Sequence, residues 1–146
     1  MTMRSIIRHR DYLKQALNEV THDLEQRATV HDLSKFLDDE FGGFTRISVD
    51  RPEFGTPGYA ERMRQEKPTI LRHYARNSHH PEHGPMTFLD VIEMVADWWA
   101  AGKGYENQMA WLSAVETNIQ NKENYLKDWQ VVLARDVAQF LGRKLS

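Results

Sequence analysis

The segment TFLDVIEMVADWWAA, residues 87–101, limits the fold more than any other part of the chain. Phe88, Leu89, Val91, Ile92, Met94, Val95, Trp98 and Trp99 take nearly every position. Asp90, Glu93 and Asp97 fall at i, i+3 and i+7 and so share one narrow stripe. A helix that is apolar around most of its circumference has to be buried, and other elements must surround it. The remaining sequence offers helices for that purpose.

From Met3 to Arg27, the residues Ile6, Leu13, Leu17, Val20 and Leu24 recur at helical spacing and make one apolar stripe. A second helix is predicted from His31 to about Phe41, ended by Gly42-Gly43. Residues 43–58 are the best loop candidate. A short helix is predicted over Tyr59–Gln65, and Pro68 fits the first turn of the next, which carries His73 and Asn77. Pro81, Gly84 and Pro85 break the chain. Thr87 caps a helix to about Ala101, stopped by Gly102. Tyr105–Asn121 and Leu126–Leu145 supply the last helices. Any strand is short, at Arg46–Val49. The expected fold class is all-α, a compact helical bundle, in a single domain spanning residues 1–146, a length sufficient to bury a core.

Composition excludes several classes. The formal charge of −2 gives no general case for nucleic-acid binding. No apolar run approaches membrane-spanning length and no secretory leader is legible, so a soluble, cytoplasmic protein without membrane partners is expected. With no cysteine, disulfides and thiolates are excluded, and any metal must take N and O ligands.

Chemistry-bearing residues gather at four places. HYARNSHHPEHG, residues 73–84, holds four of the seven histidines: His73, His79, His80 and His83. A metal site or a solvated polar turn would explain it. In the 87–101 helix, Asp90 reads as part of a solvated stripe, whereas Asp97, between Ala96 and Trp98, reads as functional. His9 sits about 60° from Ile6 on the helical wheel, at the edge of the first stripe, where it can look into a core-lined cleft. His22 faces the opposite way, outward. His31-Asp32 puts an imidazole beside a carboxylate near a helix start, where both can reach one cation. Lys35, one turn on, can pair with Asp32 or hold a phosphate. Trp98, Trp99, Trp111 and Trp129 read as core or groove walls. Arg62, Arg64, Lys67, Arg72 and Arg76 read as a solvated basic face.

These pieces resemble the HD superfamily of metal-dependent phosphohydrolases, an all-helical family with an H…HD…D ligand set. The likeness is greater still to a small, poorly characterised bacterial and phage branch that joins HR-x-Y, HDLSKF, N-x-HH and EM-x-x-DW segments. Here they read HRDY (His9–Tyr12), HDLSKF (His31–Phe36), NSHH (Asn77–His80) and EMVADW (Glu93–Trp98). The resemblance implies a compact HD-type bundle and a divalent metal held by His9, His31, Asp32 and Asp97. The His73, His79 and His80 set is similar to the extra histidines with which some members bind a second ion, and His73 and His80 would complete such a site. One departure is Lys35, which stands where the nucleotidase branch carries a glutamate; lysine at that place is known from cyclic-dinucleotide phosphodiesterases, whose GYP-type motif is missing here. A binuclear site is permitted and cyclic-dinucleotide specificity is not supported.

The implied reaction is hydrolysis of a phosphate ester by a water that the metal activates. The expected substrate is a nucleotide or related small phosphorylated molecule. Lys35 would stabilise phosphate charge, Asn77 would orient a ligand or contact substrate, and His79 or His83 would protonate the leaving group, with Glu82 a weaker candidate base. The metal can be Mn, Fe, Co, Ni, Mg or Zn, as one or two ions. Residues 43–68 and the last forty or so shape either the pocket or a homo-oligomer interface. The rival reading is a catalytically silent, metal-stabilised module that binds a nucleotide or a protein.

Overall fold

Helix α1 covers Met3–Val30 and opens with a capping box between Thr2 and Ser5. The computed structural model describes residues 2–49, 56–103 and 108–145. Among these there are seven α-helices and two short 3-10 turns, with no strand. The fold class is all-α. The chain divides into two compact units, Met1–His31 and Asp32–Ser146. The first unit is helix α1, which carries no buried residue, so Ile6, Leu13, Leu17 and His9 are all exposed. The stripe read from the sequence is present on this helix.

The second unit begins with a 3-10 turn, Leu33–Phe36, and continues through α2 (Asp38–Ser48), α3 (Pro57–Gln65) and α4 (Lys67–Arg76). A further 3-10 turn, Pro81–His83, leads to α5 (Phe88–Ala101), α6 (Gln108–Asn121) and α7 (Asp128–Leu145). Thr87, Pro68 and Gly102 fall where local signals placed them. The boundaries near α2 do not. The predicted helix from His31 is broken at Asp32, which adopts a left-handed conformation (φ 58°). Gly42-Gly43 then lies inside α2 rather than after it, and the strand considered at Arg46–Val49 is the last turn of that helix and its cap. Part of the predicted 43–58 loop, residues 50–55, and residues 104–107 before α6 lie outside the described residues.

The core of this unit joins α5, α6 and α7. Val91, Met94 and Val95 of α5 pack with Trp111, Val115 and Ile119 of α6 and with Ala134 and Ala138 of α7. The Trp111 indole N–H donates to the Ala138 carbonyl at 2.9 Å. Buried Gln130 on α7 donates to the Met86 carbonyl at 3.2 Å, which ties α7 to the start of α5. Among the described residues, no helix is long and apolar enough to cross a membrane.

Helices α2 and α4 approach closely at Gly43 and Thr69, both buried. A Cβ on Gly43 would overlap the Thr69 side chain, whereas one on Gly42 would meet only the Arg46 guanidinium at 3.4 Å. Two adjacent helical glycines should therefore respond oppositely. Gly42→Ala is expected to gain about 0.5–1 kcal/mol through helix propensity. Gly43→Ala is expected to lose about 1–3 kcal/mol through overpacking. Urea denaturation of the two variants distinguishes them.

Candidate metal centre

Four side chains of the second unit converge on one point. Asp32 comes from the left-handed residue just before the first 3-10 turn. Aspartate tolerates that conformation better than most residues, at a cost of about 1–3 kcal/mol that surrounding contacts must offset. His73 lies in the last turn of α4. His79 and His80 lie in the segment that follows it. That segment is fastened to α5: Ser78 Oγ donates to Asp90 Oδ1 at 2.6 Å, while Asp90 Oδ2 accepts from the Thr87 backbone N–H and hydroxyl, both at 2.7 Å. Asp90, read from the sequence as solvated, is thus a buried capping-box residue that holds the histidine segment in place.

One ligand atom each from Asp32, His73, His79 and His80 lies within 4.8 Å of the other three. Asp32 Oδ1 is 3.2 Å from His73 Nε2 and 3.6 Å from His79 Nε2. His73 and His79 are buried, at 3% and 2% exposure. The His73 and His80 Nε2 atoms are buried and make no hydrogen bond. Burial of hydrogen-bonding nitrogens without hydrogen bonds is costly, and together with Asp32 and His79 these atoms form a group that could hold a metal ion. The His80 ring stands 4.2 Å from the His79 ring and 4.6 Å from Tyr74. Burial, then the neighbouring His79 and His73, push the His80 pKa down to about 3, with Asp97 and Asp32 opposing. His80 is therefore neutral, the form that binds metals. Burial, then the Glu82 charge, push the Tyr74 hydroxyl up to about 12.

The far side of the rings is polar and ordered. His73 Nδ1 lies 3.1 Å from Glu40 Oε2 and 3.1 Å from Ser34 Oγ. Glu40 is fully buried, which by itself would raise its pKa; hydrogen bonds from Arg76, Ser34 and His73 together outweigh this and hold it below the usual carboxylate range. Arg76 also grips Asp39 at 2.7 Å. His79 Nδ1 lies 3.3 Å from Glu93 Oε1. The Lys35 ammonium pairs with Asp32 Oδ2 and sits 5.0 Å above the Phe44 ring, itself edge-on to His73.

The other sequence candidates are placed as follows. Asn77, the C-cap of α4, donates to Ser34 Oγ and to the His73 carbonyl, both at 2.8 Å. Glu82 pairs with Lys122, and His83 is exposed with Nδ1 3.1 Å from the Tyr74 carbonyl. Asp97 is half-buried on α5. His9 and His31 belong to the first unit, His31 as the half-buried C-cap of α1, directly before Asp32 in the chain. Of the basic residues read as a solvated face, Arg72 and Arg76 are engaged with Asp39 and Glu40 of the α2 start. Sequence reading passed over Glu40 and Ser34. The T-x-x-D spacing of Thr87 and Asp90 is the signal that would have marked Asp90 as a capping-box residue rather than a solvated one.

The His80 shift has a pH consequence in the ion-free protein. Its folded pKa is depressed from the model-peptide value of 6.5, so below that pH the unfolded chain takes up a proton that the folded chain refuses. Its contribution is fully present above about pH 6.5 and is lost as pH falls toward about 3. Denaturant midpoints measured with chelator from pH 7.5 down to 4.5 should fall, and His80→Gln should flatten that slope. No curated protein and no solved structure matches the chain. The profile of one family matches residues 1–145, and the chain belongs to that family, a family of unknown function (DUF5662).

Proposed function

We propose that this protein is a metal-dependent phosphohydrolase whose cation is held by Asp32, His73, His79 and His80. The observation that carries the reading is the meeting of four ligand atoms within 4.8 Å, with the buried His73 and His80 Nε2 atoms making no hydrogen bond. Three imidazole nitrogens and one carboxylate oxygen suit Mn, Fe, Co, Ni or Zn better than Mg, which prefers oxygen. Such a cation lowers the pKa of a coordinated water and polarises a phosphoryl oxygen.

The surrounding residues fit that chemistry. Lys35 stands at the edge of the cluster with its ammonium on Asp32, placed to turn to the phosphate charge of a bound ester. His83 is exposed, the position a donor to a leaving group requires. The likeness to the HD superfamily, which rests on sequence motifs, supplies the phosphate-ester substrate class and a nucleotide as the first choice within it. The same likeness assigns His9, His31 and Asp97 as further ligands and allows a second ion.

The test is metal analysis of the purified protein followed by assay on phosphomonoesters, phosphodiesters and nucleoside triphosphates. Asp32→Ala is expected to abolish stoichiometric metal and to lower turnover by more than about 100-fold while the chain stays helical, since ligand loss exceeds the 10–100-fold effect of outer residues. Lys35→Ala is expected to keep the metal and raise KM about tenfold, as loss of one charge-assisted contact would. Bound metal without turnover of any phosphate ester would overturn the hydrolase and leave the binding module.

A further inference from the structure

Three acceptors and donors surround His73 Nδ1, and their hydrogens can be counted. Glu40 Oε2, at 3.1 Å, belongs to a carboxylate whose other oxygen accepts from Arg76 Nη1 at 2.7 Å, and it acts as an acceptor. The Ser34 hydroxyl donates its one hydrogen to the same Glu40 oxygen at 2.9 Å. The Asn77 amide nitrogen also lies 3.1 Å from Nδ1, but its two hydrogens have nearer acceptors in Ser34 Oγ and the His73 carbonyl, both at 2.8 Å. A proton on Nδ1 gives the Glu40 oxygen a second donor and leaves every other group its partner. At His79 the neighbour of Nδ1 is again a carboxylate, Glu93 Oε1 at 3.3 Å.

We infer that Glu40 and Glu93 are positioning residues that fix the Nδ1–H form of His73 and His79, so that both rings present Nε2 to the cation. The inference deepens the metal-site reading and rests on it. A carboxylate behind a metal-binding imidazole sets its tautomer and orientation and raises its basicity. The geometry supports this from the front as well. Both Nε2 atoms face Asp32 Oδ1, at 3.2 and 3.6 Å, so with Nδ1 protonated the two imidazole nitrogens and the carboxylate oxygen converge on one place for a cation. The two acids are held differently. Glu40 is locked from behind by Arg76 Nη1 at 2.7 Å and is fully buried. Glu93 rides on α5, one turn after the Asp90 capping box that secures the His79 segment.

The experiment is nitrogen-15 NMR of the histidine rings in the full chain, with and without Zn²⁺, together with calorimetric Zn²⁺ titration of the wild type, Glu40→Gln and Glu93→Gln. A protonated Nδ1 is expected at both rings in the wild type, with the Nε2 resonances moving when Zn²⁺ is added. Each glutamine variant is expected to bind Zn²⁺ about 10–100-fold more weakly and to populate the other tautomer at its own ring only. Should Glu40→Gln fail to fold, Glu93→Gln, at a less buried site, gives the same readouts. An unprotonated Nδ1 at either wild-type ring, or a Glu93→Gln affinity within a factor of about two of wild type, well below that range, would overturn the inference. The tautomers and affinities can come out as expected while no phosphate ester is turned over; the hydrolase reading then fails alone. Turnover with the wrong tautomers rejects only the positioning role. A wild type that binds no Zn²⁺ removes both.

Discussion

The contact between Glu40 and His73 is the constraint on which the site depends. A carboxylate buried completely between two helices costs several kcal/mol unless hydrogen bonds replace its water. Here Arg76, Ser34 and His73 do so. That arrangement exists only because α2 and α4 pack close together at Gly43 and Thr69. Glu40 is one turn before Gly43, and His73 one turn after Thr69. The close approach of two backbones thus becomes the placement of a carboxylate behind an imidazole. Arg76 and Asp39 close the outer edge of the same interface.

A second fastening brings the remaining histidines to His73. The run between α4 and α5 holds prolines and a glycine, and alone it would be free to vary. Ser78 joins it to Asp90, and Asp90 is fixed in turn by the N-terminus of α5. Helix α5 is immobilised by the apolar core it shares with α6 and α7. The rigidity of His79 and His80 is therefore drawn from a hydrophobic core on the other side of α5. The carboxylates that the sequence aligned on that helix divide by depth: Asp90 caps and Glu93 backs a histidine, while Asp97 adds its charge to the field at His80.

What was legible in the sequence was local. Thr87, Pro68 and Gly102 punctuate helices through hydrogen bonds and dihedral limits confined to a few residues, and the structure has them in those places. Gly42-Gly43 was misleading because a glycine pair usually ends a helix. Here the second glycine is kept inside α2 to make room for Thr69, a reason that lies 26 residues away. Glu40 escaped notice for a related cause. In DDEFGG it resembles any acid in a first helical turn, where carboxylates complement the helix dipole. Nothing in its neighbours marks it as the one that is buried.

The sequence by itself determined an all-helical chain, the helix boundaries from α3 onward to within a few residues, and a set of imidazoles and carboxylates restricted to N and O ligation. Tertiary structure alone decided which of those groups meet: Asp32, His73, His79 and His80, with Glu40 and Glu93 behind two of the rings. The reason is one of range. Periodicity and capping are set by neighbours within a turn or two, so they can be read along the chain. A ligand cluster is set by the distance between helices, and that depends on how one glycine and one threonine pack.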